Sequence, residues 1–542
     1  MEVRPVALEP DRIEARIARD GAVWRNTTIA DQAWRAAHAY PTRVALYLED
    51  EPDVTYEALA KEALQLIAAF QAMGLVRGDT IAFQLPNWRE VAAIDIAAAA
   101  LGLVVTPIVP IYRDAELRFM LKDAGVKLLF IPGTFRSIDY PSMIEGLMPE
   151  LPHLQRIVTV RAEQPANGSG VFVSYTHLLG ELANRETLPE IDPNSVKCRL
   201  YTSGTTGTPK AVLHSHNTLS YVQGCSERHG EIGRGDIMLM PSPVTHVTGY
   251  SSGINLCFMS EMQTALMARW DAAEAVALIQ RLGITLTLGA TPFLQELLAA
   301  AKAADTRLPT LRQFACGGAA VPPGLVREAQ DWFDNCVVAR VYGSTEVPLV
   351  SYGWRDNAEF AATTDGQLYA YDVQVLDDEG APVVEGGEGE LAASGPGMFL
   401  GYADAQQTRE AHTADGYFLT GDIGRITGDG ALVITDRKKD LIIRGGENLS
   451  AKEIENVLHA HPQVQEVAVV AMPHARLGEG VCAFVVPADK DQPTGDDVLS
   501  AFAESSGLAR QKIPERYEYV SSLPKTPAGK VRKDQLRARL WP

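Results

Sequence analysis

Apolar positions along this chain alternate between two spacings. From about residue 45 to about residue 350, stretches with apolar residues every three or four positions alternate with short runs of Val, Ile, Leu and Phe. The first spacing lays one helix face against a core, and the second is the texture of a strand buried on both faces. The pattern predicts helices over 56–73, 89–101 and 114–123, with strands over 79–84 and 127–131. Such alternation belongs to an α/β sheet. Three further strands, 199–201, 313–315 and 337–341, each run into a glycine-bearing turn. In open α/β sheets the ligand crevice lies beyond the strand ends, so these turns are expected to converge on one site.

Val91 to Pro110 is almost unbroken Ala, Ile, Leu and Val, about the length of a membrane span. Asp95, Gly102 and Pro107 interrupt it, so a buried helix over about 91–100 leading into a buried strand over about 102–109 is expected. From about 366 the texture changes to short, turn-punctuated segments typical of a small β-rich lobe. After the charged run Asp436-Arg437-Lys438-Lys439-Asp440, Ser450 and Glu453 form a capping box opening a helix to about His459. VQEVAVVAM and VCAFVVP then read as strands and 495–507 as a helix. The expected fold class is α/β: an N-terminal domain over 1–435 whose β-rich lobe covers about 366–435, a hinge at 436–440, and an α+β C-terminal domain over 441–542.

The length of 542 residues exceeds what one core sustains, and 46% hydrophobic with 22% charged residues is the composition of a globular protein. A net charge of −19 disfavours nucleic acid and anionic membrane surfaces as partners. Six scattered cysteines without a Cys-x-x-Cys pair suggest a reducing compartment and no zinc site. The charged N-terminus lacks the apolar segment of a signal peptide, so a cytoplasmic location without stable membrane insertion is expected.

Residues 201–210, Tyr-Thr-Ser-Gly-Thr-Thr-Gly-Thr-Pro-Lys, carry the sharpest chemistry. Glycines let a backbone approach a ligand closely, hydroxyls donate hydrogen bonds, and Lys210 adds a positive charge, which together suit a polyphosphate. A P-loop needs a Gly-Lys-Ser/Thr ending, whereas Lys210 follows Pro209 and precedes Ala211, so a P-loop kinase or ATPase is disfavoured. A mobile polar loop is the plainer reading of the run alone.

The rest of the chain carries motifs in one recognisable order: YTSGTTGTPKAV from 201, GGAA from 317, YGSTE from 342, YFLTGD from 417, DRKKDLIIRGGENL from 436 and PKTPAGKVRK from 524. In these the chain, from about 30 to 535, resembles the adenylate-forming enzymes: acyl-CoA synthetases, adenylation domains of peptide synthetases and firefly luciferase. The resemblance implies an AMP-forming acid–thiol ligase using ATP, Mg²⁺ and coenzyme A, with a small-molecule carboxylic acid activated as acyl-AMP. It places Thr202, Ser203, Gly204, Thr205, Thr206, Gly207 and Lys210 around the phosphates. Tyr342, with Gly343 and Ser344 after it, would lie against adenine, and Gly317, Gly318 and Ala319 would bound the adenine and acyl pockets. Thr345 would bond the α-phosphate and Glu346 would hold the magnesium, as a carboxylate beside triphosphate requires a cation between them. Asp422 would take both ribose hydroxyls, helped by Arg437; a simple turn aspartate is the alternative.

The resemblance further makes Lys439 the hinge of a domain rotation, Gly445 and Gly446 the wall of a pantetheine tunnel, and His246 an aromatic gate beside the carboxylate. Lys530 would stabilise the adenylation transition state and swing out for thioester formation. It would also be the target of a protein lysine acetyltransferase and deacetylase; a homodimer is left open. Val247, Tyr250, Ala290, Ala315, Gly317, Gly343, Val347 and Pro348 would form the acyl pocket. Segment 242–250 has no aspartate to pair with an α-amine, which favours an uncharged acid. PIVPIYRDAEL at 107–117 looks like the cyclohexanecarboxylate and medium-chain fatty acid ligases. The absence of a carrier domain after the last motif favours free coenzyme A. Competing expectations are an aryl-acid CoA ligase or other adenylating enzyme, a luciferase-type monooxygenase, and a silent binding protein; the last would not need Glu346, Asp422, Arg437 and Lys530.

Overall fold

The computed structural model describes residues 10–49, 51–162, 170–202, 209–319, 321–353, 358–445, 447–489, 494–526 and 529–541. An eight-stranded sheet runs in the order Gly401–Tyr402, Lys210–Ser215, Val196–Thr202, Val104–Pro107, Thr80–Phe83, Leu128–Pro132, Arg156–Val160, Phe172–Ser174. It is parallel from Val196–Thr202 onward and antiparallel at the other edge. A nine-stranded sheet holds Val337–Tyr342, Gln313–Gly317, Leu286–Gly289, Ile237–Met240 and Gln263–Leu266 side by side and parallel. This is the α/β class expected, with helices such as Tyr56–Ala72 and Asp114–Asp123 falling where the apolar spacing put them.

The apolar stretch from Val91 folds as a helix, Glu90–Leu101, buried at every position. Gly102, at φ +67°, ends it in the left-handed conformation that glycine tolerates, and the chain turns directly into the strand Val104–Pro107. No helix among the described residues is long and apolar enough to cross a membrane. Its two carboxylates are paired: Glu90 takes both Nε and a terminal nitrogen of Arg161 at 3.0 Å. Lys197 Nζ donates to Asp95 at 2.7 and 2.9 Å and to Tyr250 Oη at 2.6 Å, while Tyr250 in turn donates to Asp95.

A four-stranded antiparallel sheet of Asp372–Leu376, Gly389–Ser394, Phe418–Ile426 and Leu432–Arg437 forms the β-rich lobe. The elements at either edge of the lobe are these. Gln367–Leu368 pairs with Ser351–Tyr352 at the edge of the nine-stranded sheet, so the lobe's own sheet starts only at Asp372. The cause is the close approach of Gly366 to Tyr352, where a Cβ would stand 2.2 Å from a backbone carbon. At the far end, Asp436 and Arg437 are still strand, and only Lys438–Asp440 forms a single 3₁₀ turn before the next sheet begins at Ile442. That five-stranded sheet is built round Val464–His474 and Gly478–Pro487, flanked by Ala451–His459, with Ser450 capping Glu453 N, and Asp496–Ser505.

All six cysteines are buried and unbridged, behaving as small apolar groups. The Asp95–Lys197–Tyr250 cluster is the most exposed weakness of the core, since removing one partner strands a charge at a site where Lys197 is 2% and Asp95 0% exposed. Asp95→Ala is expected to cost about 3–5 kcal/mol. Asp95→Leu, Lys197→Met and Tyr250→Phe combined should recover most of that loss. Equilibrium urea unfolding checks both; an unshifted midpoint for Asp95→Ala would show the cluster to be energetically idle.

Candidate active site

Three parallel strands end level with one another. Gly289 pairs with Cys316, and Gly317 with Val341, so the turns after Gly289, Gly317 and Tyr342 emerge at one edge of the sheet. Their glycines are required by contact. A Cβ on Gly317 would stand 2.2 Å from the Val341 carbonyl oxygen, and one on Gly343 2.4 Å from the Leu349 nitrogen. A cavity of about 720 Å³ opens there, bounded by Gly317, Gly318, Tyr342, Gly343, Ser344 and Thr345. A smaller one of about 280 Å³ adjoins it and is lined by Ala319 and Asp422. Arg437 and Lys530 face both.

Asp422, on the strand Phe418–Ile426, sits opposite Arg437 in the ladder. Its Oδ2 accepts from Tyr342 Oη at 2.7 Å and its Oδ1 from Arg437 Nε at 2.8 Å. Asp422 is buried, and its negative charge holds the Arg437 guanidinium protonated. Each carboxylate oxygen retains a second lone pair, so a vicinal diol can still donate to it.

Thr345 and Glu346 are held by groups that sequence reasoning passed over. His214 Nε2 lies 2.7 Å from the Thr345 carbonyl oxygen, with Nδ1 3.0 Å from Thr218 Oγ1. Burial pushes the His214 pKa down to about 4, so the neutral ring donates through Nε2. Tyr402 Oη donates to Glu346 Oε1 at 2.9 Å, and Phe399 N to the Glu346 carbonyl at 2.8 Å. Tyr402 reaches this point because Gly401–Tyr402 pairs with the strand carrying His214, a contact that nothing in the local sequence announces. Glu346 lines the cavity, and no hydrogen bond to its Oε2 occurs among the described residues. No cluster of three or more His, Cys, Asp or Glu able to hold a metal occurs among those residues. One carboxylate beside a polyphosphate is nevertheless the ligand set Mg²⁺ favours, so the residues present fit that ion in company with nucleotide.

Lys530 arrives from the C-terminal sheet's side of the cleft. Gly529 packs against Ala290 and Pro292, and Lys530 Cε comes within 3.6 Å of where a Cβ on Gly318 would be. Burial, then Arg437, lower its pKa to about 8, while Asp422 and Glu346 pull the other way. His246 lines the same space, and burial followed by the charge of Lys530 brings it down to about 4, leaving it neutral. Lys439 also borders the cavity, its pKa lowered by burial and by Arg437.

The segment Ser203, Gly204, Thr205, Thr206 and Gly207 lies outside the described residues, as does Gly446. Its flanks are placed: Thr202 pairs with Lys210 across the hairpin, and both line the cavity. Gly445, at φ +62°, donates to the Leu477 carbonyl at 2.9 Å. On the acyl side Val247, Ala290, Ala315 and Pro348 line the cavity. Two expected members do not. Tyr250 is turned inward by the π-helical turn Gly249–Asn255, where its hydroxyl meets Asp95 and Lys197. Val347 is driven into the core by the tight turn in which Ser344 N donates to its carbonyl at 3.1 Å. The wall is made instead by residues that the sequence did not single out, among them Met238, Leu256, Leu286 and Leu288.

A family model described as AMP-binding enzyme matches residues 33–403, and one described as AMP-binding enzyme C-terminal domain matches residues 453–530. Over 522 residues the chain is 34% identical to a medium-chain fatty-acid–CoA ligase of Escherichia coli, covering 96% of this chain and 91% of that one. Over 533 residues it is 31% identical to a 2,3-dihydroxybenzoate-AMP ligase of Bacillus subtilis, covering 97% and 96%. Among solved structures, ATP-bound MatB from Rhodopseudomonas palustris superposes with a TM-score of 0.83 at 25% identity, covering 95% and 99%.

The Tyr402 hydroxyl does no chemistry itself, yet it fixes Glu346. Tyr402→Phe is expected to fold normally and to lower ATP-dependent turnover about ten- to a hundredfold, the worth of one hydrogen bond to a charged group. Steady-state assays with circular dichroism as the fold control check this; undiminished turnover would detach Tyr402 from the site.

Proposed function

This chain belongs to the AMP-binding enzyme family, and on that premise we propose that it is a carboxylate–coenzyme A ligase acting on an uncharged, mainly apolar acid. The observation that carries this reading is the joint cavity, which is lined both by Lys530, Arg437 and Glu346 and by the apolar Val247, Ala290, Leu288 and Met238. The charged lining suits a nucleotide and the apolar lining suits an acyl chain or ring. The name of the 34% identical relative, a medium-chain fatty-acid–CoA ligase, supports this acid class and acceptor.

In the first step a carboxylate oxygen attacks the α-phosphorus of ATP, and the bond to the bridging oxygen of the β-phosphate breaks, releasing diphosphate and leaving acyl-AMP. In the second, the coenzyme A sulfur attacks the acyl carbon, the bond to AMP breaks, and the thiol proton passes to solvent. No protein nucleophile takes part. Tyr342 and Asp422 hold the nucleoside, Arg437 braces Asp422, and Thr345 sits where an α-phosphate oxygen would be bonded. When bound at Glu346, Mg²⁺ would neutralise phosphate charge. An anion approaching a polyanion is disfavoured in water, so positioned cations are the main source of rate, and Lys530 is the one carried in by the second domain. Rotation about Lys439 would withdraw it and bring Gly445 toward the thiol.

Lys530→Ala is expected to slow acyl-AMP formation by about 10²–10³, the usual effect of removing one transition-state donor. Thioester formation from synthetic acyl-AMP should be nearly spared, and an equal fall in both halves would refute the assignment. Acetylation of Lys530 removes the same charge and should give the same loss. The cation exists below its pKa of about 8, so kcat/KM for adenylation should fall as pH rises through that value. A profile flat to pH 9.5 would show that the ammonium is dispensable.

Because segment 242–250 carries no aspartate to pair with an α-amine, hydrophobic acids are expected to outcompete every amino acid in pyrophosphate exchange. An aryl acid is the competing class, supported by the 31% identical dihydroxybenzoate ligase. Octanoate, cyclohexanecarboxylate, benzoate and phenylalanine in one assay separate these; activation of phenylalanine ahead of the others would overturn the uncharged-acid reading.

A further inference from the structure

The acyl end of the cavity is not uniformly apolar. Its floor is one face of the parallel strands, and along Gln313–Gly317 that face is formed by Gly317, Ala315 and Gln313, all of which line the cavity. Gln313 is four residues from Gly317, about 13 Å deeper at ~3.3 Å per residue. In the ladder it stands between Val337 and Leu286, and Leu286 is level with Met238, so its nearest neighbours in that row are hydrocarbon. It is 2% exposed, and its Nε2 has no hydrogen-bond partner among the described residues. Ser251, which also lines the cavity, is 3% exposed and its Oγ is likewise unpartnered among those residues.

A buried amide without a partner is costly, and leucine or methionine would floor a slot for a plain alkyl chain without that cost. We propose that the acid carries a neutral oxygen function, a hydroxyl, ether or ketone, at the end remote from its carboxylate, accepting a hydrogen bond from Gln313 Nε2. Ser251 Oγ is the second polar group available to it. This rests on the ligase reading above and narrows its substrate to oxygenated acids of medium length. The distance from Gly317 to Gln313 sets that length, and Ala315 with Leu288, level with each other between those two depths, keep the surroundings of the intervening carbons apolar.

The test compares kcat/KM for AMP formation with hexanoate, octanoate and decanoate against their ω-hydroxy and (ω−1)-oxo counterparts, in the wild-type protein and in Gln313→Met. At one chain length the oxygenated acid should exceed its plain counterpart by about tenfold or more, as a site built to hydrogen-bond its ligand rejects one that cannot. Gln313→Met should reverse that order by raising the plain acid. A wild-type preference for the plain acid at every length overturns the inference whatever the variant does, and is the result expected if a trapped water satisfies the amide. An equal change for both acids in Gln313→Met also overturns it. The plain acids separate the two readings. If they give AMP and oxygen confers no advantage, only this inference fails, whereas if no acid gives AMP the ligase reading fails and this one falls with it.

Discussion

The register of three parallel strands governs this molecule. Leu286–Gly289, Gln313–Gly317 and Val337–Tyr342 pair residue for residue up to their carboxyl ends, so three turns leave the sheet at one height. Side chains alternate across a sheet, and a slip of one residue would exchange its faces. Phe314 and Val338, now buried in the helix-covered cluster with Leu239, would then fill the cavity, and Ala315 and Gln313 would be pushed into that cluster. The same register therefore sets the core's packing, the level of the nucleotide site and the depth of the acyl slot. This is why small residues, Ala315 and Gly317, occupy positions where a strand would ordinarily carry Val or Ile.

Charge in the cleft is unevenly shared between the two domains. Asp422 and Glu346 are fixed on the N-terminal side by Tyr342, Arg437 and Tyr402, and Lys530 comes from the other domain. Burial lowers the pKa of Lys530 despite those two carboxylates, so in the closed arrangement its charge is under-compensated. A polyphosphate supplies the missing anion. On the proposed reading, closure is favoured while triphosphate is bound and disfavoured once diphosphate leaves, because ligand binding shifts a conformational equilibrium only through its differential affinity for the two states. On that reading the lysine would couple the chemical step to a domain rotation through its charge.

What the sequence revealed follows from the range over which its signals act. Helices and strands were legible because 3.6- and 2-residue periods are local, and the burial of Glu90–Leu101 was legible from its composition. Gly317 and Gly343 were legible because a backbone squeezed against Val341 or Leu349 leaves a glycine in the chain as a mark. Asp95 argued against a membrane span, but its partners Lys197 and Tyr250 come from distant elements and carry no local pattern. His214 and Tyr402 were invisible for the same reason: each acts by reaching across a strand pairing to Thr345 or Glu346, and each alone reads as an ordinary strand residue.

The acyl pocket shows most clearly why closeness to a motif is a poor guide to a site. Tyr250 and Val347, next in line to the His246 and Glu346 motifs, were expected there on the family resemblance. A π-helical turn directs Tyr250 toward a buried carboxylate, and a hydrogen-bonded turn directs Val347 into the core. Their places are taken by Leu286, Leu288 and Met238, whose apolar side chains fit a core equally well in sequence. Only polar residues break that equivalence, since a buried polar group needs a partner and hydrocarbon does not. Gln313 is such a break. In sequence it reads as the polar first residue of a strand; in the fold it is buried on the cavity-lining face of that strand, with its Nε2 unpartnered among the described residues.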